Sequence, residues 1–453
     1  MAKATPVDRF PSFSMLSSLG FFVATAHSIP GRLIFHPRHW RLFCQWKNIS
    51  YEKKAAVRYK TRTMSTSQNI LCATPRGHRE TALAALETPA VVIDRTILEA
   101  NIALGAAIAR QHKVALRPHI KTHKSPAIAK LQMEAGAAGI TASKTDEALV
   151  FIEAGIPSVT VAYPLVDRAK ISRLIRAAKI KGTDLRVVAD SADGIAALSA
   201  EARAQSHRLP VFLKVDVGLH RCGVDPALPA SRDLALSVGR TAGLRFAGLL
   251  SHAGHAYAAG TPEGVRLVAR QERDLMVGFA ESLRQAGLEV PAISVGSTPT
   301  VLLNDGFEGL SEARPGNYVF MDMTQVGLGV ARPAQVSLSV IVTVVSRNDR
   351  YAIVDAGSKV MSSDRGPHGS DSVRGFGAVF TLEEPDAPAM TLARLSEEHG
   401  FVEHEGRDLK IGSRLRIVPN HSCPVANLTD RFVAIDEAGG VEYWPVEGRG
   451  CVR

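Results

Sequence analysis

A (β/α)8 barrel of TIM type followed by a mostly antiparallel β domain is the fold this sequence predicts, on three observations. Eight short β-branched runs succeed one another between residues 114 and 320. Helical patterns separate most of them. After Pro333 that alternation gives way to β-rich segments joined by turn residues such as Asn348-Asp349 and Gly439-Gly440. Strand–helix alternation is the pattern of a parallel sheet covered by helices, and eight repeats over roughly 230 residues is barrel size. An open, doubly wound sheet is the competing arrangement.

The elements follow in order. "TPAVVIDRTILEANIALGAAIARQH", from residue 88, is a short strand and then a helix whose apolar residues fall close to one face. The eight runs are "VALRPH" (114–119), "AAGITAS" (137–143), "SVTVAYP" (158–164), "DLRVVAD" (184–190), "VFLKVDVG" (211–218), "LRFAGLLSH" (244–252), "AISVGS" (292–297) and "EARPGNYVF" (312–320). Helical stretches include 145–155, 167–179 and 265–287. We therefore expect a barrel over 85–332 and a β domain over 333–453.

The formal charge of +10 would suit a polyanion-binding surface, but its position excludes one. Residues 1–63 hold eleven Lys or Arg against two acids, and the other 390 residues hold 43 against 42. The basic end, residues 1–70, has no sustained period, and its apolar run Leu19 to Ala26 is far short of the roughly 20 residues a membrane span needs. It is expected to be an extension outside the fold, with Met64 as an alternative start of the functional chain. Five scattered cysteines without a CxxC motif suit a reducing compartment, so cytoplasmic localisation is expected, with neither nucleic acid nor membrane as partner.

In a barrel, function gathers at the C-terminal ends of the strands. Here polar groups collect at those ends, most densely in "RPHIKTHK" (117–124). A lysine at such a place, desolvated and walled by cations, has a lowered pKa, so Lys121 or Lys124 could attack an aldehyde as a neutral amine. Alone, the stretch reads more readily as a solvated basic turn. "VGSTPT" (295–300) and "RPGNY" (314–318) offer glycine amides and the hydroxyls of Ser297, Thr298 and Thr300 as a phosphate cradle after strands 7 and 8. Arg221 could bind an anionic oxygen, and His252 could stack on a flat ring. "PNHSC" sets His421 and Cys423 two apart, on one face if the segment is a strand. Imidazole with thiolate suits Zn2+ better than Mg2+.

Together, "RPHIKTHK", "KVDVGLHRCG", "SVGSTPT", "RPGNYVFMD", "LSEEHG" and "PNHSC" resemble the fold-type III pyridoxal phosphate enzymes, the alanine-racemase-like barrels. The closer match is the branch containing D-serine dehydratase and D-threonine aldolase. The resemblance covers residues from about 85 to the C-terminus. It implies that Lys121 carries pyridoxal 5'-phosphate, that Arg221 contacts the ring's phenolic oxygen, and that His252 lies near the ring face. It likewise implies a phosphate cradle of Ser297, Thr298, Gly316 and Asn317 with Tyr318 close by, and a metal pair of His421 and Cys423. The catalytic tyrosine of alanine racemase has no counterpart in "VDAGSKVMSSDRG", which turns the expectation from racemisation to chemistry at the β-carbon.

The implied protein is a homodimeric lyase for small β-hydroxy D-amino acids, with D-serine dehydratase chemistry as the main reading. A D-threonine or 3-hydroxy-D-aspartate aldolase and a D-threo-3-hydroxyaspartate dehydratase are the alternatives, and a non-enzymatic pyridoxal-phosphate-binding protein a distant one. Zn2+ is the expected metal, with Mn2+ or Mg2+ as the aldolase-type alternative.

Overall fold

The computed structural model describes residues 76–366, 373–383 and 388–453. The basic extension expected over residues 1–70 lies outside them.

Strand β1 spans Ala90–Asp94. It is followed by β2 (Ala115–Leu116), β3 (Ile140–Ala142), β4 (Ser158–Val161), β5 (Asp184–Ala189), β6 (Leu209–Lys214), β7 (Leu244–Leu250), β8 (Ile293–Val295) and β9 (Glu312–Ala313). Each of the eight expected runs thus overlaps one strand, with β6 starting two residues before its run. All neighbours pair in parallel, in the order β2-β9-β8-β7-β6-β5-β4-β3. The gap between the two ends closes where His119 bridges Thr141 and Thr141 N donates to Pro118 O at 2.7 Å. Helices on the outside complete the barrel, and their apolar faces meet the strands in one core that includes Phe151, Val187, Leu213 and Leu249. Caps follow the sequence: the Asp167 carboxylate accepts from Ala169 N and Lys170 N at the head of the helix Arg168–Lys181, and Gly182 at φ 68° ends it. Only a residue without a Cβ adopts that left-handed cap at no steric cost.

The second sheet is built from β10 (Leu338–Arg347), β11 (Tyr351–Val354), β12 (Gly377–Thr381), β13 (Met390–Leu395), β14 (Gly400–Glu403), β15 (Arg414–Pro419), β16 (Arg431–Ile435) and β17 (Val441–Pro445). Six of these, β10-β11-β14-β13-β12-β15, close into an antiparallel ring because β10 pairs with both β11 and β15. Strand β1 belongs here too, antiparallel to β10 and parallel to β16. The segment 85–332 therefore supplies one strand to the second sheet rather than to the barrel alone. Periodicity cannot tell which sheet a fully buried strand joins. Side chains of β1 alternate between two cores, with Val91 and Ile93 in one and Ala90 and Val92 in the other.

The barrel and the β domain share apolar packing. Leu98, Ile102 and the run Tyr318–Met321 lie in the same cluster as Val340, Leu415 and Phe432. Phe320, fully buried, meets the Phe432 ring edge-on at 5.5 Å. Burying one such side chain stabilises by roughly 1.5–3 kcal/mol. The segment carrying His421 and Cys423 is held against the barrel mouth by hydrogen bonds instead, from Thr324 Oγ1 to Asn420 O at 2.7 Å and from Ser422 N to Asp322 Oδ2 at 3.0 Å. Among the described residues no helix is long and apolar enough to cross a membrane.

Candidate active site

The stretch "RPHIKTHK" leaves β2 and divides its cations among different surroundings. Arg117 is buried inside the barrel, where Nε donates to Glu312 Oε2 at 2.6 Å and Nη1 to Ser158 Oγ at 2.8 Å. His123 is buried against Gln132, and burial holds its pKa down to about 3. Lys124 is buried in an ion pair with Glu147 at 2.7 Å. Only His119 and Lys121 face open space, on the short 3-10 turn Ile120–Thr122 and its cap.

Two cavities meet on those residues. One, of about 500 Å³, is lined by Lys144, Tyr163, Lys214, Arg221 and others; a second, of about 190 Å³, is lined by Ser297, Thr298, Gly316, Asn317, His421 and Cys423 among others. His119, Lys121, His252 and Arg314 border both. No carboxylate lines either cavity among the described residues. Burial lowers the Lys121 pKa from its ordinary value; the Cys423 sulfur opposes that shift and Arg221 adds to it. The cations that crowd Lys121 in the sequence are therefore not the ones that act on it. His119 and His252 are held well below the ordinary histidine value by burial and then by Lys121, so both rings are neutral near pH 7. His252 Nδ1 lies 3.1 Å from Gly296 O, so this nitrogen carries the proton and donates.

The cradle expected at Ser297, Thr298, Gly316 and Asn317 forms one wall of the smaller cavity. Thr298 Oγ1 accepts from the backbone N–H of Gly316 at 3.2 Å and of Tyr318 at 3.1 Å, which shapes the loop. At Gly316 a Cβ would stand 3.0 Å from Thr122 Oγ1 and 3.1 Å from His119 O. The hydroxyl of Thr300 is spent on the Ser297 cap. Tyr318 departs from expectation: its ring is fully buried beside Gly105 and its hydroxyl accepts from Gln132 at 3.1 Å, so its side chain lines neither cavity. The cradle loop turns there, and the ring serves the shared core instead.

His421 and Cys423 do converge, but not by strand alternation. β15 ends at Pro419, His421 caps the helix Ser422–Leu428, and Cys423 lies in its first turn. His421 Nδ1 stands 2.9 Å from Asp364 Oδ2. A carboxylate that accepts there directs Nε2 toward Cys423, where a metal could take the place of its proton. Burial lowers the His421 pKa, yet Cys423 and Asp364 outweigh it and raise it to about 10. Burial would raise the Cys423 thiol, but the neighbouring His421, Thr122 and Lys121 bring it below its ordinary value. Cys423 Sγ donates to Thr122 Oγ1 at 3.4 Å, one residue from Lys121. Among the described residues no third His, Cys, Asp or Glu joins the pair to complete a closed metal cage.

Comparison with known proteins identifies the assembly. The model of the alanine racemase N-terminal domain matches residues 93–324, and that of a putative serine dehydratase domain matches residues 337–435. A D-threo-3-hydroxyaspartate dehydratase from Delftia sp. (strain HT23) is 37% identical over 377 residues, which is 80% of this chain and 97% of that protein. The chain belongs to the alanine-racemase-like lyases. They are a pyridoxal-phosphate-dependent family. A D-threonine aldolase from Arthrobacter sp is 33% identical over 82% of this chain and 95% of its own length, and a D-serine dehydratase from Dictyostelium discoideum is 30% identical over 78% and 94%. The solved structure of the Delftia dehydratase matches with a TM-score of 0.75 at 36% identity, covering 80% of this chain and 98% of that one. Two related structures are of variants with alanine in place of a histidine and of a cysteine spaced as His421 and Cys423 are, the cysteine variant being metal-free.

The residues of this alanine-racemase-like lyase fit both groups its family uses. A half-buried lysine with lowered pKa, a cavity bordered by cations and no carboxylate, and a hydroxyl-lined cradle suit an anionic aldehyde such as pyridoxal phosphate. A paired imidazole and low-pKa thiol suit a metal ion. Several bordering groups were not singled out from the sequence. Lys214 is buried at the end of β6, and burial followed by Arg314 lowers its pKa to about 8. Arg314, just past β9, donates to Ser294 Oγ at 2.5 Å and to Ser251 O. Tyr257 reaches the smaller cavity and bonds Thr298 and Gln325. All three lie in strand-end stretches, so position along the barrel was a signal that residue type alone did not supply.

Proposed function

We propose that this lyase dehydrates a β-hydroxy D-amino acid, with D-serine giving pyruvate and ammonia as the main reading, and that its metal is Zn2+. One observation carries the choice of elimination over retro-aldol cleavage: the metal pair is an imidazole and a thiol beside Thr122 and Lys121, and a soft thiolate favours zinc over Mn2+ or Mg2+. Bound here, pyridoxal phosphate supplies electron withdrawal from the bonds to Cα, and zinc supplies polarisation of an oxygen.

The chain's own groups do the rest. Lys121 holds the cofactor, and once displaced its amine is the base for the Cα proton; its lowered pKa keeps a useful fraction neutral. Neutral His252, with Nδ1–H committed to Gly296 O, presents its other nitrogen and ring face without adding charge. Ser297, Thr298, Gly316 and Asn317 hold the phosphate, and Arg221 meets an anionic oxygen at the mouth. Asp364 keeps His421 in the ligating tautomer.

A second reading has its own support. The larger cavity is bordered by Lys144, Lys214, Arg221 and Arg314 with no lining carboxylate, which suits a substrate with a second carboxylate such as D-threo-3-hydroxyaspartate. The protein acts as a homodimer in this reading, on family resemblance, and in the cytoplasm, where Cys423 stays reduced. Residues 85–332 and 333–453 act together as its barrel and metal-bearing β domain.

Product analysis tests the proposal. Purified protein with Zn2+ is given D-serine, D-threo-3-hydroxyaspartate and D-threonine separately. Keto acid and ammonia from either of the first two, lost on chelation, support it. Glycine and acetaldehyde from D-threonine, with no keto acid from any substrate, would sink it.

A further inference from the structure

The loop of the phosphate cradle and the loop of the metal pair meet on one buried carboxylate. Asp322 is fully buried at the head of the helix Met323–Gly327, where Oδ1 accepts from Gln325 N at 3.2 Å. Its other oxygen, Oδ2, accepts from Asn317 Nδ2 at 2.7 Å and from the backbone N of Ser422 at 3.0 Å. Asn317 belongs to the cradle, and Ser422 stands between His421 and Cys423. The two donors also touch: Asn317 Nδ2 donates to Ser422 Oγ at 2.9 Å and approaches Cys423 Sγ at 3.9 Å. A second tie runs parallel, from Thr324 Oγ1 to Asn420 O at 2.7 Å.

Burial raises the Asp322 pKa from its ordinary value, while His421, Ser422 N, Asn317 and Gln325 N oppose that shift by favouring the carboxylate. Hydrogen bonds to a carboxylate are roughly twice as strong as neutral ones. A buried carboxylate that loses a donor bears a large desolvation cost. Movement of either loop therefore strips Asp322 of a partner and releases its hold on the other loop. Helix Met323–Gly327 gives Asp322 a fixed base, since its other oxygen is already committed to the cap.

We propose that Asp322 is a positioning residue that couples cofactor binding to metal binding. It rests on the reading of His421 and Cys423 as the metal pair and of Asn317 as part of the cradle. Ordering one loop by its ligand holds Asp322 for the other. Coupling of this kind is reciprocal: zinc tightens the cofactor by the same factor that the cofactor tightens zinc.

The test uses the full chain stripped of cofactor and metal. Pyridoxal 5'-phosphate is titrated by its visible absorbance with Zn2+ present or with a chelator. Zinc is titrated against a chromophoric competitor with and without cofactor. The wild-type protein is expected to bind each ligand about 5- to 20-fold more tightly when the other is present. Asp322→Asn, which keeps size and loses charge, is expected to bring both ratios to within about twofold of one. Ratios near one in the wild-type protein overturn the proposal. Ratios that survive Asp322→Asn also overturn it, and assign any coupling to the direct field between metal and cofactor. If Asp322→Asn does not fold, Asn317→Ala decides: it removes the donor through which Asp322 holds the cradle loop, and an unchanged ratio overturns the proposal. Zinc affinity undiminished in Cys423→Ala overturns the metal-pair reading itself, which a wild-type ratio near one with pair-dependent zinc would leave standing.

Discussion

Lys121 and Lys124 stand three residues apart on one strand end and live in opposite surroundings. Lys121 opens onto two cavities without a lining carboxylate among the described residues. Lys124 is closed in: its ammonium pairs with Glu147 at 2.7 Å and reaches Gly448 O at 3.4 Å, while Gly448 N donates to Lys124 O at 2.9 Å. The second oxygen of Glu147 accepts from Ser143 N at 2.6 Å, at the end of the next strand. One lysine has its pKa lowered chiefly by burial, against the opposing Cys423 and Glu147, and the other fastens the loop and the C-terminal tail through its direct ion pair. Crowded cations in a sequence do not share a task.

Replacing the open lysine should have the largest effect on chemistry. Lys121→Ala is expected to lower turnover at least about 10^3-fold, as loss of a covalent group and base together does. Its thermal stability should hold, because no buried ion pair is broken. Absorbance of the bound cofactor and calorimetry check the two halves. Unchanged turnover would remove Lys121 from the mechanism.

The closed lysine should answer the opposite way. Lys124→Met leaves Glu147 as an uncompensated buried charge, which costs about 3–5 kcal/mol of folding stability. Protein that remains folded should still attach the cofactor. Denaturant melts beside the same absorbance measurement would show it; a stable variant that no longer binds cofactor would reverse the comparison.

A smaller effect separates the open side from the closed one by pH. Burial lowers Lys214 to about 8 from its ordinary value of 10.5. Below about 8 both folded and unfolded chains hold this proton, so it adds no pH dependence. Between about 8 and 10.5 the unfolded chain holds a proton that the folded one has lost, so stability rises with pH across that window. Melting temperatures of the cofactor-free protein, less those of Lys214→Met, should rise across it. A flat difference would mean that Lys214 is paired after all.

The strand sequence of the barrel was open to reading because each strand is a local run, and βα alternation needs no knowledge of distant residues. The same holds for the cradle glycines and for the spacing of His421 and Cys423. Other features were not open to it. β1 falls inside the segment 85–332 expected as barrel, yet pairs with β10 and β16, since a short buried strand carries no mark of its sheet. Tyr318 sits in the motif but turns its ring into the shared core. Asp364 and Asp322 draw their importance from partners 57 and 100 residues away, so no local pattern announces them. The sequence by itself determined which residues stand at strand ends, because period and β-branching act between neighbours. Tertiary structure alone decided which of those charges meet a counter-charge and which face open space, because burial and pairing depend on chain segments brought together from far apart.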